Sequence, residues 1–158
     1  MTSIPVTIRG AQMMRDELQR LKTKDRYEVV AAIAEARSHG DLSENAEYDA
    51  AKERQAFIEG RIAELESKLS SAQVIDPTKL NTDGRIVFAA TVELEDLDSG
   101  EKVRYQIVGN DEADLKESKI SVISPMARAL IGHEAGDVIE VQAPAGVREY
   151  EILDVLFI

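Results

Sequence analysis

Two acidic side chains, Asp41 and Glu44, lie in the short stretch between two long segments of helical pattern. Carboxylate oxygens suit Mg²⁺, which usually takes one or two protein carboxylates and fills its other positions with water or substrate phosphate. The same pair could instead form a capping box, with Asp41 as the N-cap of the next helix and Glu44 three positions later. The spacing leaves both interpretations open. A metal site built from this pair would have to be completed by another molecule.

The segments on either side of this stretch predict an antiparallel helical hairpin. Apolar residues recur at helical spacing before it, and after it they follow the alternating steps of four and three that are typical of a coiled-coil seam. The residues of this second seam are Ile58, Ile62, Leu65, Leu69 and Ala72. Gly40 suits the left-handed conformation that ends many helices. A loop this short places two long helices side by side and antiparallel.

We expect the first helix to run from about residue 8 to residue 39, with Thr7 as its N-cap, and the second from about 42 to 72. The apolar pattern shifts near Lys24–Arg26, which predicts a stutter or local bend; a solvated break between two helices is the alternative. Gly60 in the second helix costs about 1 kcal/mol relative to Ala. Close packing against the first helix is the expected compensation.

The second half of the chain changes from a helical to a strand-like period. We expect strands at 86–94, 103–108, 120–123, 137–141 and 149–155, and a short helix from Ser124 to Ile131 with Ser124 as its cap. The predicted fold class is therefore α+β: a coiled-coil hairpin at 1–75, a linker at 76–84, and a small antiparallel sheet with one covering helix at 85–158.

Composition limits the function classes. The 158 residues include no cysteine, which excludes disulfides and thiolate metal sites, and the formal net charge is −11. An acidic chain lacks the basic face that free nucleic acid requires, so we expect no independent DNA binding and a protein as the main partner. No secretion signal or membrane-spanning stretch is visible, which favours a cytoplasmic protein with no membrane partner.

Three strings resemble the Gre family of bacterial transcript cleavage factors over essentially the whole chain. His39–Tyr48 resembles the family's tip signature, and Ile120–Gly132 resembles its C-terminal signature. The string Ile107–Gly109 followed by Asp111–Asp114 is similar to the same C-terminal region. Family members often carry a proline where this chain has Tyr27, a departure that affects no functional residue.

The resemblance implies a specific function. Family members bind RNA polymerase through a C-terminal domain similar to FK506-binding proteins, and insert the coiled coil into the secondary channel. Residues matching Asp41 and Glu44 help to hold a second Mg²⁺, shared with polymerase and not bound by the isolated factor. The polymerase then hydrolyses its own backtracked RNA at the 3′ end, so the factor is not itself an enzyme. This hydrolysis is an in-line displacement at the RNA phosphate that two metal ions assist.

Further site residues follow from the resemblance. Arg37 and Lys52 match a basic patch that would contact the nascent RNA. Four residues are candidates for docking on polymerase, although roles in the local structure are an equal alternative for them: Ser121, Ser124, Pro125 and Arg128.

Three alternatives have less support. A Gre-like inhibitor of the same channel would carry a changed acidic tip, whereas this chain keeps the cleavage pattern. A prolyl isomerase needs an aromatic-lined pocket, and the second half has few aromatic residues to build one: Phe88, Tyr105, Tyr150 and Phe157. His39 could be a metal ligand, but histidine near a helix C-terminus is common because it complements the helix dipole.

Overall fold

The computed structural model describes residues 3–40 and 45–158 of the chain. The described chain divides into two units, one formed by 12–72 and the other by 3–11 together with 73–158. The boundary falls inside the first helix, so that its first turn belongs to the second unit. None of the described helices is both long and apolar enough to cross a membrane.

The first unit is the predicted helical hairpin. Its first arm consists of α1 (Ile8–Arg20), a π-helical segment (Leu21–Asp25) and α2 (Arg26–Arg37), and its second arm is α3 (Ala46–Ser70). Ion pairs join the arms in reverse order along the chain: Glu17 with Arg61 at 2.8 Å and Arg26 with Glu59 at 2.7 Å. The antiparallel arrangement is thereby confirmed.

The π-helical segment explains the shift in the apolar pattern. Met14 and Leu21 are buried seven residues apart, but the next buried residue, Val29, follows after eight. A π-helical turn takes in an extra residue, so it keeps Leu21 and Val29 on the same side of the arm. The residues flanking the segment, Arg20 and Arg26, are themselves α-helical. The predicted stutter is confirmed, and the alternative of a solvated break is wrong.

Buried aliphatic residues from both arms form the core of the hairpin. The first arm contributes Val29, Ile33 and Ala36, and α3 contributes Ala51, Ile58, Ile62 and Leu65. The expectation that Gly60 packs closely against the first helix is wrong: a Cβ added there would meet no atom within 4 Å apart from its chain neighbours and the backbone of its own helix. Gly60 therefore has a helix-propensity cost that packing does not offset.

Two sheets lie in the second unit, apart from Ala72 at the start of β2. The strands β1 (Ile4–Thr7) and β2 (Ala72–Ile75) pair with each other, and a short 3₁₀ turn (Pro77–Lys79) follows β2. The larger sheet has the order β5-β4-β3-β7-β6. Its strands are β3 (Thr91–Asp96), β4 (Lys102–Val108), β5 (Lys119–Ser121), β6 (Val138–Ala143) and β7 (Gly146–Leu156).

The predicted α+β class is confirmed, with one correction to the sheet. The described pairings of β3 with β4, β3 with β7 and β6 with β7 are antiparallel, but β4 and β5 are parallel. A parallel pair needs a crossover longer than a hairpin turn. The segment 109–118, which includes a 3₁₀ turn at Leu115–Glu117, is that connection. The sheet is thus mixed.

The short helix α4 (Pro125–Leu130) packs its buried Ala127 and Leu130 into the core of the large sheet. Ser124 caps this helix as predicted, accepting a hydrogen bond from the amide of Ala127 at 3.2 Å. The predicted strand at 86–94 is shorter than expected and starts only at Thr91. Ala89 has a φ of 78° there, which breaks the extended backbone.

Candidate functional site at the hairpin tip

The described residues reach the tip of the hairpin from both arms. On the first arm, α2 ends at Arg37 and Gly40 has a φ of 98°, the left-handed conformation that glycine adopts without a steric cost. On the second arm, the first residue that the structure describes is Asn45. Asp41 and Glu44, the predicted metal ligands, lie outside the described residues.

Asn45 fixes the start of the second arm. Its side-chain oxygen accepts a hydrogen bond from the amide of Tyr48 at 3.1 Å, which makes it the N-cap of α3. Its side-chain nitrogen donates to the carbonyl oxygen of Ala36 on the other arm at 2.6 Å. One side chain therefore caps α3 and ties the two arms together.

This geometry corrects the predicted capping box. Because α3 begins at Ala46, its N-cap is Asn45 and not Asp41, and Glu44 precedes the cap instead of standing three positions after it. The capping role that the sequence allowed for this pair is filled by another residue. The sequence allowed this assignment, because Asn is about as good an N-cap as Asp, but the spacing of the carboxylates pointed to Asp41.

Polar contacts join the two arms near the tip. The guanidinium of Arg37 lies 6.0 Å from the centre of the Tyr48 ring, within the range of a cation–π interaction. The imidazole Nδ1 of His39 lies 3.1 Å from Oε2 of Glu47. The predicted site residue Lys52 is one turn further along α3, exposed, with its Nζ 3.2 Å from Oε1 of Gln55. Arg37 and Lys52 thus both stand on the tip-proximal part of the hairpin.

In the part of the chain that the structure describes, no three or more His, Cys, Asp or Glu residues are grouped closely enough to hold a metal ion. The donor chemistry of Asp41 and Glu44 nevertheless fits Mg²⁺, since both supply hard carboxylate oxygens. Two further carboxylates, Glu47 and Asp49, lie in the first turn of α3, and Glu47 is already paired with His39.

The four predicted docking residues lie close together in the second unit, from the end of β5 into α4. The hydroxyl of Ser121 pairs with Oδ1 of Asn110 and accepts from the amide of Ile123 at 3.2 Å. Ser124 caps α4 and Pro125 is its first residue, so both have a role in the local structure. Arg128 is exposed and has no ion pair among the described residues.

The aromatic residues of the second unit belong to its core. Phe88, Tyr105, Tyr150 and Phe157 are partly buried and pack against the central apolar cluster of the sheet. Burial raises the pKa of the Tyr150 phenol. This placement gives no support to an aromatic-lined isomerase pocket.

Comparison with known proteins assigns both parts of the chain. Residues 4–74 match the model "Transcription elongation factor, N-terminal", and residues 81–157 match "Transcription elongation factor, GreA/GreB, C-term". The chain belongs to the GreA/GreB family of transcription elongation factors. The predicted family resemblance is therefore confirmed, and it extends over both units.

Curated relatives in the GreA branch match the whole chain. The chain is 68% identical over 158 residues to transcription elongation factor GreA of Ralstonia nicotianae, covering 100% of both chains. It is 65% identical to GreA of Neisseria meningitidis serogroup A, again over 100% of both. A solved structure of GreA factor homolog 1 from Thermus thermophilus is 32% identical, covers 98% of this chain and 99% of that chain, and has a TM-score of 0.43.

Proposed function

We propose that this elongation factor stimulates RNA polymerase to cleave its own backtracked transcript. In this proposal the second unit docks at the rim of the secondary channel and the hairpin enters the channel with its tip toward the active centre. The match to the GreA/GreB family over both units carries the proposal. The factor would act in the cytoplasm, with RNA polymerase as its partner and the nascent RNA 3′ end as its target.

The acidic pair at the tip has the chemical role in this proposal. Asp41 and Glu44 would hold Mg²⁺ jointly with polymerase, and the ion would activate the attacking water and stabilise the charge that develops on the phosphate. Support comes from α3, whose N-cap is Asn45. The carboxylates are therefore not needed to cap α3.

Two cations on the hairpin could orient the RNA. Arg37 and Lys52 are both exposed near the tip, where a phosphate backbone would meet positive charge. The contact of Arg37 with Tyr48 restricts the guanidinium without neutralising it. On the second unit, Arg128 has the free charge that a contact with polymerase requires, whereas Ser121, Ser124 and Pro125 shape the surface around it.

The proposal is tested with an arrested elongation complex, Mg²⁺ and labelled RNA. Asp41→Asn and Glu44→Gln remove the charge of each ligand and keep its size. We expect each to lower the rate of transcript shortening at least about tenfold, the scale on which damage to a metal site is felt. Binding to polymerase should stay near the parent level, and raised Mg²⁺ should restore part of the rate.

Asp49→Asn is the matched control, because Asp49 is a carboxylate in the first turn of α3 and loses the same charge. It should cleave like the parent. Parent-like cleavage by the Asp41→Asn, Glu44→Gln double variant at low Mg²⁺ would refute the metal role. If the unmutated factor binds the arrested complex but prevents transcript shortening, the protein is an inhibitor that acts in the same channel.

A further inference from the structure

A buried carboxylate in the second unit holds the start of α1. Glu112 is only 4% exposed, and its Oε1 accepts a hydrogen bond from the hydroxyl of Thr7, which is 2% exposed. Its Oε2 lies 3.2 Å from the guanidinium of Arg9. All three residues belong to the second unit, although Glu112 is more than a hundred positions from Thr7 and Arg9 in sequence.

The first turn of α1 is built to receive this carboxylate. The hydroxyl oxygen of Thr7 accepts from the amide of Gly10 at 2.9 Å, so Thr7 caps the helix while donating to Glu112. The first turn carries no acidic residue of its own. A carboxylate at a helix N-terminus is favourable because of the helix dipole, and Glu112 supplies it from a distant loop.

Gly10 completes the fit. A Cβ built on Gly10 would lie 2.7 Å from Oε1 of Glu112, closer than non-bonded atoms tolerate, and 3.3 Å from Oγ1 of Thr7, a tight contact. The absence of a side chain at this position is what lets the carboxylate approach the helix. Because Thr7 and Arg9 already hold the carboxylate, it has little freedom to move away from an added methyl group.

We propose that Glu112 is a positioning residue that anchors the root of the hairpin. The same helix that Glu112 holds at Thr7, Arg9 and Gly10 continues past Ala11 as the first arm of the hairpin unit. Because α1 is continuous, we expect this contact to restrain the start of the arm. Under the proposed function, on which this consequence rests, the anchor keeps a docked factor's tip directed at the active centre.

The anchor is tested by a distance measurement that needs no polymerase. The chain has no cysteine, so spin labels can be placed at Phe57→Cys and Val138→Cys, positions that are 72% and 52% exposed in different units. Gly10→Ala and Glu112→Gln are introduced into this labelled chain. We expect each to broaden the distance distribution at least twofold while the circular dichroism spectrum is retained.

Gly60→Ala is the matched control for Gly10→Ala. Both replace a glycine in a helix, but the added methyl at Gly60 meets open space. The control should leave the distribution unchanged. If Gly10→Ala and Glu112→Gln also leave it unchanged, the anchoring role is refuted.

A second readout separates positioning from folding. At saturating factor, Glu112→Gln should lower the rate of transcript shortening at least fivefold while its affinity for polymerase changes less than twofold. A loss of affinity that accounts for the whole loss of cleavage would overturn the positioning role. If the parent itself does not stimulate cleavage, the proposed function fails, and the distance measurement still decides whether Glu112 anchors α1.

Discussion

Replacing Asn45 should destabilise the hairpin through two separate contacts. The Asn45→Ala variant loses the cap on the amide of Tyr48, which costs about 1 kcal/mol. It also loses the hydrogen bond to the carbonyl of Ala36, worth a further ~1 kcal/mol. That carbonyl still accepts from the amide of His39, so no unsatisfied group adds to the cost. The expected total is about 2 kcal/mol.

A second substitution separates these two contributions. Asn45→Asp keeps an oxygen for the amide of Tyr48 and adds a favourable charge at the start of α3. It cannot donate to Ala36 and brings a carboxylate close to that carbonyl oxygen. We therefore expect Asn45→Asp to lower the stability of the hairpin by about 1 kcal/mol, because only the hydrogen bond to Ala36 is lost. Asn81→Ala is a matched control, since Asn81 is exposed and makes no side-chain hydrogen bond to the described residues.

The assay is unfolding followed by circular dichroism at the helical band, because most of the described helix lies in the hairpin. For a unit of this size, 1 kcal/mol shifts the melting temperature by roughly 4–8 °C. Asn45→Ala should therefore lower the hairpin transition by roughly 8–16 °C. A shift no larger than that of Asn81→Ala would refute the N-cap assignment. If Asn45→Asp is as unstable as Asn45→Ala, the hydrogen bond to the carbonyl of Ala36 accounts for most of the lost stability.

Two further substitutions test other parts of the fold. Gly60→Ala should stabilise the hairpin by up to about 1 kcal/mol, measured as a higher urea midpoint, because the methyl meets open space and the helix propensity improves; a lower midpoint would contradict the open environment. Asp96 accepts hydrogen bonds from the amides of Asp98 and Ser99 and from Arg148, which hold its pKa below the usual range. The ionised form stabilises the fold above the ordinary pKa near 4, and this stability is lost as pH falls through the lower folded-state pKa. Asp96→Asn should therefore be less stable than the parent at pH 7, and the difference should shrink toward pH 2; an undiminished difference would rule out this linkage.

Periodicity made the hairpin predictable from sequence. Buried aliphatic residues such as Ile58, Ile62 and Leu65 repeat along α3 because a coiled-coil seam requires them, so their spacing identifies the contact face directly. The π-helical segment was visible for the same reason, as an extra residue between two buried positions. The start of α4 was also predictable, because Ser124 and Pro125 are a recognisable cap and first residue.

Tertiary contacts that leave no periodic residue pattern in the sequence were not predictable. The parallel pairing of β5 with β4 depends on the path of the connection at 109–118, and no residue pattern distinguishes it from an antiparallel return. The end of the predicted strand at Ala89 depends on a positive φ that alanine rarely adopts. A tertiary hydrogen bond supports this turn, from the amide of Ala89 to the carbonyl of Ile107. Local sequence does not encode that partner.

The site was only partly predictable for a related reason. A carboxylate pair next to a helix start has two chemically sound interpretations, and the choice of cap depends on which residue begins the helix. The structure places that start at Ala46 and gives the cap to Asn45. Glu112, in contrast, had no local signal at all, because its partners Thr7 and Arg9 are at the other end of the chain.

Two glycines show that helix propensity alone does not predict the effect of a substitution when tertiary contacts are ignored. Gly10 and Gly60 both lie in helices, and propensity alone predicts that alanine would improve either position by about 1 kcal/mol. At Gly60 nothing opposes that gain. At Gly10 the new methyl group would meet the carboxylate of Glu112 at 2.7 Å, next to the hydroxyl that caps the helix. The same substitution should therefore strengthen the hairpin at one position and loosen its root at the other, and only the tertiary contact determines which.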